Sequence, residues 1–446
     1  MGLVEKDQSV LHDSQHGSCR SALSKTSIEM LQETGSSIYS FAETAAISDY
    51  TAYSGSSFRT AGSGGDANND VALVQIVEKY ATKLQGNPPP NEKTCLAAMQ
   101  SLWNILRALN NSAPAESSSQ ASQTSQTSIT RADVSSLAVR QGCIPALTSV
   151  MKTYKDSIKV QSRAVSLLGA LGEDNASYQD VIAESHGVSY VLAALVHPQH
   201  SKQSALCQEA CGCLVNITSH SPRAVSQMAH GEGVQTLSAT MKLHSKKECV
   251  QETALNALCN LARQRSEDKP FEFLELLEDA ELIELVVDTM SRHKKVKGVM
   301  QAGGSFIHAL ATKGKPRTKA SLVWSKAVPI VLKVLKYFPQ DASMQLKCLE
   351  SLFSLSYERP EALVVVAEDG CPLIFESMIS HTQDEAIQST SCQLLLLLCA
   401  HQHTCAPLSK CYKKNARHRK ALQIAEQSYK DSCGDAADKI MKAASA

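Results

Sequence analysis

The stretch Gln251-Glu-Thr-Ala-Leu-Asn-Ala-Leu-Cys-Asn-Leu-Ala262 decides the fold, because its pattern of small and aliphatic residues recurs along the chain. Its small residue Ala254 serves as an anchor, followed by Leu258 four positions later and Leu261 seven positions later. The same template finds six more anchors, which are Ala98, Ala164, Ala210, Gly303, Cys348 and Ser391. Internal repetition of this kind predicts a repeat architecture rather than a set of unrelated domains.

Aliphatic side chains fill two columns that follow every anchor. The column at plus four contains Leu102, Leu168, Leu214, Leu258, Ile307, Leu352 and Leu395. The column at plus seven contains Ile105, Leu171, Ile217, Leu261, Leu310, Leu355 and Leu398. On an α-helix these offsets fall on one stripe together with the anchor. Each repeat is therefore predicted to contain one helix with a single buried face.

The spacing of the anchors narrows the class of repeat. Successive anchors are separated by 66, 46, 44, 49, 45 and 43 residues. The separation of 66 spans residues 112–130, a Ser/Gln/Thr-rich segment that we interpret as an inserted low-complexity loop. A period in the mid-40s is typical of HEAT and armadillo arrays and exceeds that of tetratricopeptide or ankyrin units.

Another helix is predicted to begin 21 to 23 residues before most anchors, as in Gln141-Gly-Cys-Ile-Pro-Ala-Leu147. Glycine at that point permits a sharp turn between two helices. The equivalent stretches at Asp279 and Lys326 lack the glycine, so their turns are expected to be less sharp.

These motifs resemble the armadillo-repeat family, whose units read roughly Gly-x-Ile-Pro-x-Leu followed by a helix with Ala-x-x-x-Leu-x-Asn-Leu-Ala. The resemblance covers about residues 70–400 and is strongest in the opening stretch and in Gln208-Glu-Ala-Cys-Gly-Cys-Leu-Val-Asn-Ile217. It implies an all-α, right-handed α-solenoid of about seven armadillo-like repeats, with HEAT repeats as the alternative for the units around Gly303 and Cys348. We assign residues 1–68 to a disordered Ser/Thr/Gly-rich arm, 69–408 to the array, and 409–446 to a basic helical cap or tail.

The family resemblance also implies a binding groove, because the last helix of each armadillo unit lines the concave surface. Offsets of plus two and plus six lie opposite the buried columns and are predicted to face this groove. The candidate groove residues are Asn104, Asn216, Asn256, Asn260, Ser166, Ser305 and Ser354. An Asn amide offers both a donor and an acceptor to the main chain of an extended peptide. The alternative is that Asn216 and Asn260 bond a neighbouring helix end.

The predicted groove carries few charges. Importin-α-like proteins place a Trp one helical turn before the groove Asn, where this chain has Gln100, Gly212 and Asn256. Trp103 is adjacent to Asn104 and is expected to point elsewhere. A nuclear-import receptor is therefore disfavoured, as is a β-catenin-like groove with its rows of Lys and Arg, and peptides of mixed polarity are favoured.

Composition and charge restrict the function further. Lys plus Arg and Asp plus Glu number 44 each, so no global field attracts the chain to nucleic acid or an anionic membrane. The start shows no secretory signal and no apolar run is long enough for a membrane span, which favours the cytoplasm, with the nucleus as the alternative. The 15 cysteines are then expected to be reduced, buried thiols.

Two segments beyond the last anchor leave alternatives open. Cys399-Ala-His-Gln-His-Thr-Cys405, with Cys411, gathers soft metal ligands, but its spacing matches no closed zinc module and an incidental cluster is favoured. The basic residues between Lys410 and Lys430 could contact nucleic acid or anionic lipid, or could cap the array.

We therefore predict a protein-binding scaffold or adaptor that holds an extended segment of a partner protein in its groove. The alternative is a solenoid that contacts nucleic acid or anionic lipid through the basic C-terminal helix. Catalytic motifs such as Gly-x-Ser-x-Gly and Gly-x-x-x-x-Gly-Lys do not occur, so we expect no enzyme, no cofactor, no metal and no small-molecule substrate. The arm or the Ser/Gln loop could itself occupy the groove, and the partner's identity stays open.

Overall fold

The aliphatic columns predicted from the sequence form the core of a helical array. A computed structural model of the chain describes residues 66–86, 88–111, 129–263 and 272–445. In both columns every side chain is at most 4% exposed. Within these ranges all regular structure is helical, and each helix is either too short or too polar to serve as a membrane span. The proposed N-terminal arm and most of the inserted loop lie outside the described residues.

The helices are grouped in eight successive units, and a complete unit has three helices, H1, H2 and H3. Unit 1 contains α1 (Asp66–Leu84) and α2 (Glu92–Asn111), and unit 2 contains α3 (Arg131–Arg140), α4 (Cys143–Thr153) and α5 (Ile158–Leu171). Unit 3 contains α6 (Ala176–Glu184), α7 (Gly187–Val196) and α8 (Ser204–Ile217), and unit 4 contains α9 (Pro222–His230), α10 (Gly233–Leu243) and α11 (Glu248–Arg263). Unit 5 contains α12 (Glu272–Glu275), α13 (Ala280–Arg292) and α14 (Lys297–Lys313), and unit 6 contains α15 (Pro316–Trp324), α16 (Ala327–Tyr337) and α17 (Ala342–Glu358). Unit 7 contains α18 (Pro360–Val365), α19 (Cys371–Ser380) and α20 (Glu385–Cys399), and unit 8 contains α21 (Gln402–Lys414), α22 (Ala416–Ser428) and α23 (Asp435–Ser445). The last helix of each unit is H3, and consecutive H3 helices pack side by side into one continuous layer, the H3 layer.

A recurrent glutamine joins H2 to H3 inside four units. Its side-chain amide donates to two carbonyl groups at the C-terminal end of H2, where the last carbonyls of a helix lack an intrahelical partner. The second of these carbonyls also accepts from a backbone amide in the H2–H3 turn. Gln251 donates to Met241 O at 3.0 Å and to His244 O at 2.9 Å. The equivalent residues Gln161, Gln345 and Gln388 make the same pair of bonds in units 2, 6 and 7.

A second recurrent contact joins neighbouring units. In five units the residue directly after H2 is a His or Tyr whose imidazole Nε2 or hydroxyl donates to a backbone carbonyl in the H2–H3 turn of the preceding unit. These pairs are Tyr154 with Pro90 at 2.7 Å, His244 with Ser201 at 2.7 Å, His293 with Ser245 at 2.9 Å, His381 with Pro339 at 2.8 Å and Tyr429 with Thr382 at 2.9 Å. The turns therefore form a hydrogen-bonded ladder along one edge of the array.

The turns between H1 and H2 correct one expectation. Gly142 adopts a left-handed backbone with φ of 71°, as expected, but the non-glycine Lys326 adopts the same conformation with φ of 63°. The turn at Lys326 is therefore as tight as those that contain glycine, and the expectation of a less sharp turn there is wrong. At Asp279, φ is −66° and the carboxylate caps α13 through Leu282 N at 3.3 Å, so that turn does differ.

The region around Gly303 is a continuous helix. A side chain at Gly303 would place its Cβ 2.5 Å from Met290 Cγ, so the glycine allows α14 to approach α13 closely. The helix runs unbroken through this residue to Lys313. Unit 6, around Cys348, has three helices as armadillo units do.

The C-terminal segment forms an eighth unit. The predicted boundary at residue 408 falls inside α21, and the following helices bury Leu422, Ala437 and Ile440 completely. Ala437 lies 46 residues after the anchor Ser391, so it continues the period. The segment is therefore a packed unit that continues the array, as a cap would and a separate tail would not.

Candidate functional site

The H3 layer presents a row of partly exposed side chains at offset plus two. Gln100, Ser166, Gly212, Asn256, Ser305 and Glu350 are half-buried and Gln393 is exposed. Neighbouring packed helices are about 8–10 Å apart, and an extended chain rises about 3.4 Å per residue. Each unit of the layer therefore faces two to three residues of an extended chain.

Two predicted groove asparagines hold neighbouring H3 helices together. Asn216 Nδ2 donates to Gly169 O at 3.0 Å, and Asn260 Nδ2 donates to Val215 O at 2.9 Å and Thr218 Oγ1 at 3.0 Å. Asn260 is only 9% exposed. These contacts match the alternative that Asn216 and Asn260 bond a neighbouring helix end. They give both amides a role in the stability of the array.

The other predicted site residues are distributed along the layer. Asn104 Oδ1 accepts from Gln100 Nε2 at 2.8 Å, and Ser166 Oγ donates to Ser162 O at 2.9 Å. Ser354 Oγ donates to Ala311 O at 2.7 Å, while Ser305 Oγ accepts from Lys347 Nζ at 3.2 Å. Asn256 is half-buried on α11. Of the predicted residues, Ser166 and Asn216 line one cavity.

This cavity has a volume of about 420 Å³ and lies where α2, α5 and α8 meet. Its lining comprises Trp103, Leu106, Arg107, Arg131, Val165, Ser166, Gly169, Ala170, Glu173, Glu209, Gly212, Cys213 and Asn216. We call it the α2–α5–α8 cavity. Three of these residues, Gly169, Ala170 and Gly212, have little or no side chain, which leaves the space open above their helices.

Trp103 forms one wall of the cavity, so the expectation that it points elsewhere is wrong. Adjacent residues on a helix differ by 100°, and the cavity lies between helices rather than above one of them. Trp103 leans towards α5, where the Arg163 guanidinium lies 5.9 Å from its ring centroid. This distance allows a cation–π contact between the two side chains.

Four charged side chains line the cavity. Arg131 forms an ion pair with Glu173 and also donates to Ala170 O at 3.1 Å. Glu209 accepts a hydrogen bond from Ser162, and Arg107 is exposed. The prediction of few charges in the groove therefore needs refinement at this cavity.

The layer has a different character in units 5 and 6. Phe353 and Tyr357 lie on α17 with ring centroids 6.1 Å apart, and Tyr357 is 71% exposed. His308 Nε2 is 3.6 Å from Glu350 Oε2. Burial lowers the pKa of His308, helped by Lys347, and burial raises the pKa of Glu350. An exposed aromatic surface thus lies beside a partly desolvated His–Glu pair.

The thiols after the last predicted anchor show no built metal site. Among the described residues, no cluster of three or more His, Cys, Asp or Glu side chains is arranged to hold a metal ion. Burial raises the pKa of Cys399 to about 12, with further contributions from Cys405. Cys411 Sγ lies 3.4 Å from His418 Nδ1, and the His418 ring stacks on Phe375 with centroids 4.6 Å apart.

Together the packed units, the repeated H2–H3 contacts and the continuous H3 layer define an α-solenoid of three-helix repeats. A family model described as LRRK2 ARM repeat matches residues 267–406, which include the units for which HEAT repeats were the alternative. Residues 267–406 are thus similar to an armadillo-repeat model, and the described chain has the fold of an armadillo-type α-solenoid.

One solved structure supports this fold. An engineered protein determined by the Northeast Structural Genomics Consortium is 17% identical with a TM-score of 0.59, and the alignment covers 87% of this chain and 97% of that one. A designed armadillo repeat protein in complex with the peptide (KR)4 is 16% identical with a TM-score of 0.47, covering 63% of this chain and 99% of that one. No curated protein sequence matches this chain.

Proposed function

We propose that this protein is a non-catalytic scaffold that holds an extended segment of a partner protein along its H3 layer. The observation that carries the proposal is the row of partly exposed side chains at one offset on consecutive H3 helices, with the α2–α5–α8 cavity open beside it. Each unit would engage two to three partner residues, so several units together supply the contact area that one unit lacks.

The chemistry of the row suits a peptide main chain. The amides of Gln100 and Asn256 can each donate and accept hydrogen bonds, and Ser166 supplies a hydroxyl. Such groups bind backbone without demanding a particular side chain, so selectivity must come from side-chain sites along the layer. The α2–α5–α8 cavity and the exposed ring of Tyr357 are two such sites.

The test uses a phage-displayed library of random dodecapeptides selected on the full-length protein. Asn256→Arg places a long cation in the middle of the layer, while Gln235→Arg adds the same side chain to an exposed position of α10, away from the layer. Peptides selected on the parent protein should bind Gln235→Arg equally and bind Asn256→Arg at least tenfold more weakly. Equal binding by all three proteins would place the site elsewhere and refute the groove.

A second function is proposed for the corner between α21 and α22. Lys413, Lys414 and Arg417 are exposed there, and Arg419 fixes the corner by donating to Tyr412 O at 3.3 Å and Lys413 O at 2.7 Å. This rigid cluster of cations suits the phosphates of nucleic acid or anionic lipid. Such binding should weaken steeply with salt.

Charge reversal tests this corner without removing the eighth unit. The double variant Lys413→Glu/Lys414→Glu should abolish binding of a single-stranded oligonucleotide or of phosphatidylserine vesicles, whichever the parent binds. The parent protein failing to bind either probe at low salt would remove this second function.

A further inference from the structure

Gly212 is the residue that opens the α2–α5–α8 cavity. It lies in the interior of α8, where a glycine destabilises a helix by about 1 kcal/mol relative to alanine. Among the described residues, a Cβ added here would meet only Thr253 Cγ2, at 4.0 Å. Packing therefore does not require a glycine at this position. Gly169 differs, because its Cβ would lie 3.2 Å from Cys213 Cα on the neighbouring helix.

The wall around Gly212 includes an apolar part. Trp103 contributes half-buried ring surface, and Leu106, Val165 and Cys213, each at most 3% exposed, form the apolar layer behind it. Arg131 and Glu173 at the rim pair with each other, and Glu209 accepts a hydrogen bond from Ser162. A ligand group that binds one of these three charges would have to displace a contact, whereas an apolar group would not. Arg107 also lies at the rim and is exposed.

The size of the cavity also fits a bulky side chain. An enclosed apolar cavity of about 150 Å³ is large enough to bind benzene, and this cavity measures about 420 Å³. It therefore has room for a leucine, methionine or phenylalanine side chain together with part of the backbone that carries it.

We propose that the α2–α5–α8 cavity is the anchor site for one bulky apolar side chain of the partner segment, and that Gly212 keeps this site open. The inference rests on the proposed function, because it names the side chain that the same layer selects. The cavity determines which residue of the partner is fixed in place, and the polar row beside it holds the flanking backbone.

The test fills the cavity with a side chain introduced at position 212 of the protein itself. Gly212→Leu places a side chain in the open space and also removes a helix-interior glycine, so the variant should fold with an unchanged or higher melting temperature. Ala193→Leu adds the same side chain at an exposed position of α7 and serves as the matched control. Gly212→Ala adds a single methyl group and should retain most of the binding.

Peptides from the dodecapeptide selection supply the readout. They should share a bulky apolar residue at one position, and Gly212→Leu should weaken their binding roughly 10- to 100-fold, the effect of losing one buried aliphatic or aromatic side chain. Changing that shared residue to alanine should cause a similar loss on the parent protein but little further loss on Gly212→Leu.

The outcomes separate this inference from the function on which it rests. If no peptide is selected, or if Asn256→Arg binds them normally, the groove itself is refuted. If peptides are selected and Asn256→Arg blocks them, but Gly212→Leu binds as well as Ala193→Leu does, the anchor site alone is overturned. A shared lysine or arginine instead of an apolar residue would also overturn it.

Discussion

Replacement of Gln251 by leucine should destabilise the array around unit 4. The side chain is fully buried, its Nε2 donates to Met241 O and His244 O, and its Oε1 accepts from Thr289 Oγ1 at 3.2 Å. Leucine keeps the apolar contacts but removes all three bonds and leaves two carbonyl groups at the end of α10 without this donor. Each lost bond costs about 0.5–1.5 kcal/mol, so we expect a total loss of about 2–4 kcal/mol.

The assay is urea unfolding followed by far-ultraviolet circular dichroism, combined with hydrogen exchange detected by mass spectrometry. Because the units of a repeat protein are stabilised mainly by their neighbours, faster exchange should be concentrated in α10 and α11. Gln251→Met should show the same loss, since methionine fills a similar volume without donating. It is also the residue type at the equivalent position in unit 5, Met300.

The matched control is Gln208→Leu, which makes the same substitution at an exposed position of α8. It should change the free energy of unfolding by less than about 0.5 kcal/mol. A loss for Gln251→Leu no larger than that of Gln208→Leu would refute the structural role of this glutamine.

Three further predictions concern Asn260, His200 and the cysteine thiols. Asn260→Ala should reduce the free energy of unfolding by about 1–3 kcal/mol because it breaks two inter-unit hydrogen bonds, whereas Asn256→Ala should change it by less than about 0.5 kcal/mol; equal effects in urea unfolding would contradict this division. Burial lowers the pKa of His200 below its usual 6.5. Its imidazole is therefore protonated at a higher pH in the unfolded chain than in the folded one. The free energy of unfolding should then fall as the pH drops below about 6.5, by at most about 1.4 kcal/mol per pH unit. His200→Phe should remove this part of the decline, and an unchanged pH profile of the melting temperature would argue against it. Iodoacetamide should label exposed Cys249 in the native protein but label Cys143 only after unfolding, because burial raises the pKa of Cys143 to about 12; peptide mass spectrometry showing equal native labelling would count against the fold at Cys143.

The core of the array could be predicted because it depends on a property of single helices. Leu258 and Leu261 lie on one stripe with Ala254, and this stripe recurs in every unit. Gln251 lies next to the stripe and is polar, so periodicity alone assigns it to the surface. Its burial follows from a tertiary contact with the carbonyls at the end of H2, although its recurrence three residues before four anchors is a usable signal.

The cavity could not be predicted from the sequence, for a related reason. Its lining comes from three helices, and a helical wheel describes only one helix at a time. The sequence therefore predicts the wrong direction for Trp103. It identifies Gly212 only as a position where importin-α-like proteins have Trp. The close spacing of Gly169, Ala170 and Gly212 on adjacent H3 helices indicates the open space once the register of the units is known.

The eighth unit escaped recognition because a terminal unit has one neighbour only. Its last helix buries Ala437, Ile440 and Ala444 but exposes the rest to solvent, so charged residues such as Lys439 interrupt the aliphatic pattern. Terminal repeats with a polar outer face are a general property of solenoids. The basic character of residues 410–430 led to the prediction of a helical cap or tail, but not of a full three-helix unit.

The most direct test of the central claim is photo-crosslinking of a selected dodecapeptide that carries a photoreactive phenylalanine at its anchor position. After irradiation with the full-length protein, peptide mass spectrometry identifies the crosslinked residues. Crosslinks should fall on α2, α5 and α8, with Trp103 and Ser166 among the residues that react. Crosslinks confined to H1 or H2 helices would contradict binding along the H3 layer.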